Sequence, residues 1–113
     1  MTSDSELEAT LAALRREFAT GLPERLATLR LALDGLRRST TRDTLHAFHL
    51  PAHALSGTAG SYDAHELTPH VARLAKLGRR WLDAGAAPAA EIDEAARELD
   101  KLETAIARFR RRV

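Results

Sequence analysis

Apolar residues recur every three or four positions along almost the whole chain, and no stretch alternates in the manner of a β-strand. Leu7, Leu11, Leu14 and Phe18 form a first stripe, with Asp4 or Ser5 as its candidate cap. Gly21 interrupts it, and Pro23 suits the first turn of a second helix carrying Leu22, Leu26, Leu29, Leu33 and Leu36. Ser39-Thr40-Thr41 is a loop with a ready N-cap, followed by a third stripe of Leu45, Phe48, Ala52, Leu55 and Ala59. Ser61-Tyr62-Asp63 ends that element. Asp63 and Glu66 then have capping-box spacing, with Thr68-Pro69 as a competing start for a helix bearing Leu67, Val71, Leu74, Gly78 and Trp81. Gly85 closes this helix and Pro88 opens the last, with Ile92, Ala95, Leu99, Leu102, Ile106, Phe109 and Val113. The pattern predicts helices near residues 5–20, 22–37, 41–60, 64–84 and 88–112.

Each predicted helix is apolar on one side only, so none is stable until another covers it. Short connections join helices two to five, which favours antiparallel neighbours. The expected fold is all-α: an antiparallel up-down four-helix bundle with an additional N-terminal helix. The 113 residues form a single domain, 1–113, with no internal repeat or linker.

Charge and composition narrow the function. Lys plus Arg number 17 and Asp plus Glu 16, a balance that does not suggest a nucleic-acid binder. The one basic cluster, Arg108 with Arg110-Arg111-Arg112, lies where it complements the negative end of a helix dipole. There is no cysteine, which excludes disulfides and thiolate metal sites. No uninterrupted apolar run approaches the ~18 residues of a membrane span. The start of the chain is polar and acidic, unlike a signal peptide. A cytoplasmic monomer is expected, with no nucleic acid and no membrane among its partners.

One segment departs from ordinary helix chemistry. His53 sits in the third predicted helix, and the positions one and two turns on are Ser56, Gly57 and Gly60. Glycine costs about 0.5–1 kcal/mol relative to alanine inside a helix. Two glycines on the histidine's side therefore need a reason. Either they allow close packing of a neighbouring helix, or they clear space for another surface to reach the imidazole. His46, His49, His53, Ser56 and Gly60 run about 100° round the helix from the buried stripe, so His53 is expected on the flank, partly exposed. An imidazole with its ordinary pKa of ~6.5 keeps a free lone pair at neutral pH.

From about Phe18 to Gly85 the chain resembles a histidine phosphotransfer (HPt) domain. The motif is His53-Ala54-Leu55-Ser56-Gly57-Thr58-Ala59-Gly60, with Leu22-Pro23-Glu24-Arg25-Leu26 upstream and Leu67 downstream. The resemblance implies that His53 takes a phosphoryl group from the aspartate of a response-regulator receiver domain, or from a hybrid sensor kinase, and passes it to another regulator. Ser56, Gly57, Gly60 and His49 would neighbour the phosphoryl group, and Ala54, Gly57 and Gly60 would meet the partner. No cofactor of its own is implied; Mg²⁺ is expected on the receiver. The chain has no Gly-x-x-x-x-Gly-Lys loop, so it would be a phosphoryl carrier without an ATP site rather than a stand-alone enzyme.

Three positions depart from the family pattern. Ser56 replaces the usual lysine, Asp63 stands near a position often occupied by glycine, and Pro51 lies two residues before His53. Arg73, Lys76, Arg79 or Arg80 on the next helix are candidates for the missing charge. The lost lysine also supports an alternative, a degenerate HPt-like bundle that binds a receiver or kinase without transfer. A metal site is a further rival: His49 and His53 have i, i+4 spacing, with His46 on the same side and His65, Asp63 or Glu66 as a third ligand. No Glu-x-x-His repeat completes such a set, and no metal is expected.

Overall fold

A computed structural model describes residues 3–113, and all regular structure among them is helical. Four helices follow in order: α1 Asp4–Arg38, α2 Arg42–Ser61, α3 Thr68–Ala84 and α4 Ala89–Arg112. α2 packs most extensively on α3 and α1 on α4, while α1–α2 and α3–α4 contacts complete a ring. The core is lined by one stripe from each helix, with Trp81, Phe48 and Phe109 its largest fully buried side chains.

The break expected at Gly21 is absent, and the two predicted N-terminal helices are one helix of 35 residues. Proline inside a helix removes a hydrogen bond and costs about 3 kcal/mol. Against this, Phe18, Ala19, Leu22 and Leu26 are buried on both sides of Pro23. Each large apolar side chain so buried contributes about 1.5–3 kcal/mol, which outweighs the local loss. The cap of α1 is Ser3 rather than Asp4 or Ser5. Its Oγ accepts from the Glu6 amide (3.2 Å) and the Glu6 carboxylate accepts from the Ser3 amide (3.3 Å). α2 begins at the expected place, with Thr41 as cap. It runs through Pro51 without a break, and the carbonyl that Pro51 leaves unmatched belongs to exposed Ala47, where water can serve it.

α3 starts four residues later than predicted. The Asp63–Glu66 capping box is not used, and Pro69 takes the first turn. Asp63 instead ends α2. It adopts a left-handed conformation (φ 54°). The Ala64 amide donates to Ala59 (2.9 Å) and the Asp63 amide to Gly60 (3.3 Å), closing a Schellman turn over buried Ala59 and Ala64. The same bonding pattern at Gly85 closes α3. Arg112, at the end of α4, donates to both Glu66 carboxylate oxygens (2.7 and 3.0 Å) and to the Asp63 carbonyl (2.7 Å). This guanidinium holds the Glu66 carboxyl below the usual range. Part of the basic cluster thus ties the α2–α3 connection to α4 rather than only facing a helix dipole.

Asp63 tolerates the left-handed region better than most residues, whereas a β-branched residue there is strained. Asp63→Val is expected to lower unfolding free energy by about 1–2 kcal/mol, and Asp63→Gly to hold or raise it. Denaturant titration of the two variants checks this.

Candidate functional site

α2 and α3 approach closely because Gly78 has no side chain. A Cβ there would lie 3.1 Å from the His49 Cα and 3.2 Å from the Phe48 ring. Phe48 is fully buried and tilts against Trp81 of α3, ring centroids 5.3 Å apart. The consequence for the predicted row of histidines is that it splits. His49, expected on the same row of the helix as His53, is covered by α3 and only 8% exposed. Its Nδ1 has no hydrogen-bond partner. Burial first, then repulsion from His53, Arg79 and His46, push the His49 pKa below 6.5, with Asp83 opposing. His49 is therefore the neutral floor of the site.

His53, one turn on, is exposed and its ring stacks beside that of His49, centroids 5.7 Å apart at 28°. Ala52 and Leu55 on either side are 1% exposed and anchor this stretch of helix. Between α2 and α3 a groove of about 900 Å³ opens, lined by His49 and His53 on one side and Ala75, Lys76, Arg79 and Arg80 on the other. Of the four cations considered on α3, Arg73 pairs with Glu94 and Arg80 with Glu91, both on α4. Arg79 makes an exposed pair with Asp83 (3.2 Å), and Lys76 has no ion pair among the described residues. An exposed i, i+4 pair is worth only a few tenths of a kcal/mol. Lys76 and Arg79 are thus the cations most free to turn to an anion at His53.

Gly57 and Gly60 lie one and two turns beyond His53, on its side of α2. Both are exposed, and a Cβ built on either would meet nothing within 4 Å. The packing explanation for these two glycines therefore fails; it holds for Gly78. Ala54 is exposed beside them, and so is Leu50, at 59%. Leu50 escaped the sequence reading, although its place one turn before His53 on the outer face was a signal for it.

The third ligand needed by a metal site is not brought to the histidines. Glu66 is held by Arg112, and His65 lies next to that pair. Among the described residues no group of three or more His, Asp or Glu side chains converges. No helix among them is long and apolar enough to cross a membrane. The chain matches no known family model, no curated protein and no solved structure.

Gly57→Ala and Gly60→Ala should each raise stability by about 0.5–1 kcal/mol, because alanine is the better helix former and open space receives its methyl. Gly78→Leu should lower it by about 1–3 kcal/mol through overpacking against α2. Thermal unfolding of the three variants separates the two kinds of glycine. A pH series tests His49. Unfolded, it binds a proton near 6.5; folded, only at lower pH, so the contribution of neutral His49 is complete above about 6.5 and is lost as pH falls. The drop in melting temperature between pH 7.5 and 5 is expected to shrink in His49→Gln.

Proposed function

We propose that this chain is a histidine phosphotransfer protein in which His53 accepts a phosphoryl group from a receiver-domain aspartate, or from a kinase, and passes it to another response regulator. The observation that carries the reading is the pair of exposed glycines at 57 and 60. They weaken the helix, the fold makes no use of them, and they bare the surface beside an exposed imidazole. A partner surface that must come within bonding distance of His53 accounts for both. The motif from His53 to Gly60 resembles that of the family, and the helical ring agrees with its bundle. The up-down antiparallel course belongs to the same proposal. In its favour, Arg30 pairs with Asp100 and Arg37 with Asp93, so the two chains of partners run in opposite directions along α1 and α4.

In the forward step an imidazole nitrogen lone pair of His53 attacks the phosphorus of the partner's aspartyl phosphate. The N–P bond forms as the acyl O–P bond breaks, and the partner's carboxylate leaves. The reverse step, on a second receiver, regenerates the imidazole. This chain supplies the nucleophile and the docking face: Leu50, Ala54, Gly57 and Gly60 form its small and apolar centre. Mg²⁺, supplied by the receiver in this reading, meets the charge on the transferring group. Lys76 and Arg79 take the place of the family's lysine, which is Ser56 here. Ser56 offers a hydroxyl but no charge. Its presence favours the second reading, an interaction module that binds a receiver without accepting phosphate.

Incubation with a phosphorylated receiver and Mg²⁺ is expected to give an acid-labile, base-stable phosphate on wild type, His46→Ala and His49→Ala, and none on His53→Ala. Lys76→Ala with Arg79→Ala should lower transfer about fivefold, the worth of about 1 kcal/mol from exposed charges. Gly57→Arg and Gly60→Arg should block docking, read by titration calorimetry, while helicity stays intact. Binding without phosphate on wild type, with labelling of Ser56→Lys, establishes the interaction module instead. Labelling of His53→Ala at the wild-type level excludes His53 as the acceptor.

A further inference from the structure

α1 is longer than the bundle it belongs to. Its 35 residues span about 52 Å at 1.5 Å each, close to the 53 Å longest dimension of the molecule. Its first buried side chain is Phe18, and residues 3–11 are exposed throughout. Along this projecting arm Leu7, Leu11 and Leu14 are 52%, 41% and 40% exposed. Their 4-3-4 spacing to Phe18 continues the stripe by which α1 joins the core, and it is the spacing of a coiled-coil seam. A seam of this kind is completed by another helix.

The charges on the arm say which helix and in which direction. Its tip is acidic, with Asp4, Glu6 and Glu8, and its base is basic, with Arg15 and Arg16. Neither arginine has an ion pair among the described residues. Glu8 and Arg15 are seven residues apart, on one flank of the seam. In two identical arms laid antiparallel, that flank of one faces the same flank of the other, and Glu8 meets the partner copy's arginine twice by symmetry. A parallel pair would stack acid on acid and base on base. The base of the arm also carries a receiving groove of about 440 Å³, walled by Leu14, Phe18, Gly21 and Tyr62, with Glu17 and Arg25 at its rim. Phe18 and Tyr62 stack at 4.8 Å to form its apolar floor.

We propose that the N-terminal arm is a self-association element: two copies of this chain pair their arms antiparallel along Leu7, Leu11 and Leu14, each tip seated against the Phe18–Tyr62 floor of the other. This differs from the expected monomer, and it is independent of the chemistry at His53, which lines the groove against α3. The seam is short, so the dimer is reversible, dissociating on dilution over roughly the micromolar range.

Sedimentation equilibrium of the full chain from 1 to 500 µM is the test. A concentration-dependent dimer is expected for wild type. Leu11→Glu should be monomeric throughout with unchanged circular dichroism, because the side chain replaced is already exposed. Glu8→Arg and Arg15→Glu should each weaken the dimer at least several-fold, and the double variant should restore it. The chain lacks cysteine, so orientation is read from single substitutions: a mixture of Leu7→Cys and Leu14→Cys should cross-link on oxidation far better than either alone. A monomer at every concentration, a dimer insensitive to Leu11→Glu, or better cross-linking of the separate variants than of the mixture overturns the proposal.

Discussion

The absence of a side chain at Gly78 sets the geometry on which the site depends. With Gly78 against the backbone of His49 and the ring of Phe48, α3 lies close along α2. Three consequences follow from that one contact. His49 is largely withdrawn from water and driven toward its neutral form. The neighbouring imidazole of His53 rests on it rather than on solvent. Lys76 and Arg79, two residues before and one residue after Gly78, border the same groove as His53. A wider gap between the helices would expose His49 and move that charge away.

The end of the bundle beyond the site is tied by different means. A Schellman turn through Asp63 lets the chain leave α2 while burying Ala64 and Leu67. Arg112 clamps this connection from α4, and Tyr62 stacks on Phe18 of α1. All four helices therefore meet around residues 62–67. His53, two turns back from this junction, is carried by a helix supported at its side and at its end. In the proposed function this support would hold His53 in position as a partner docks, which limits the ordering cost of binding.

Three glycines on helices illustrate how much of this was open to sequence reasoning. Gly57 and Gly60 could be read as either packing or access, and only the position of neighbouring atoms rules out packing. Gly78 was merely one member of an amphipathic stripe, yet it is the packing glycine. The unbroken α1 was more legible than its predicted break. Phe18 and Leu22 are four residues apart, so the stripes before and after Gly21 are already in phase. Gly21 and Pro23 are local breaker signals, and the shared phase of the two stripes overrides them. At the start of α3 two local signals competed, and Pro69 prevailed because Asp63 was needed to turn the chain out of α2.

The order of apolar positions along the chain determined the helical class, the stripe each helix buries, the ends at Thr41, Gly85 and Pro88, and the oddity of a histidine followed by unshielded glycines. These are properties of a helix considered alone, where spacing of three and four residues dictates which side chains share a face. Which faces meet is another matter. Fusion of the first two helices, burial of His49 but not His53, commitment of Arg73 and Arg80 to α4, and exposure of the leucines of the arm all depend on how far neighbouring helices reach and how closely they approach. Those distances arise from the packing of side chains distant in sequence, and only the tertiary structure contains them.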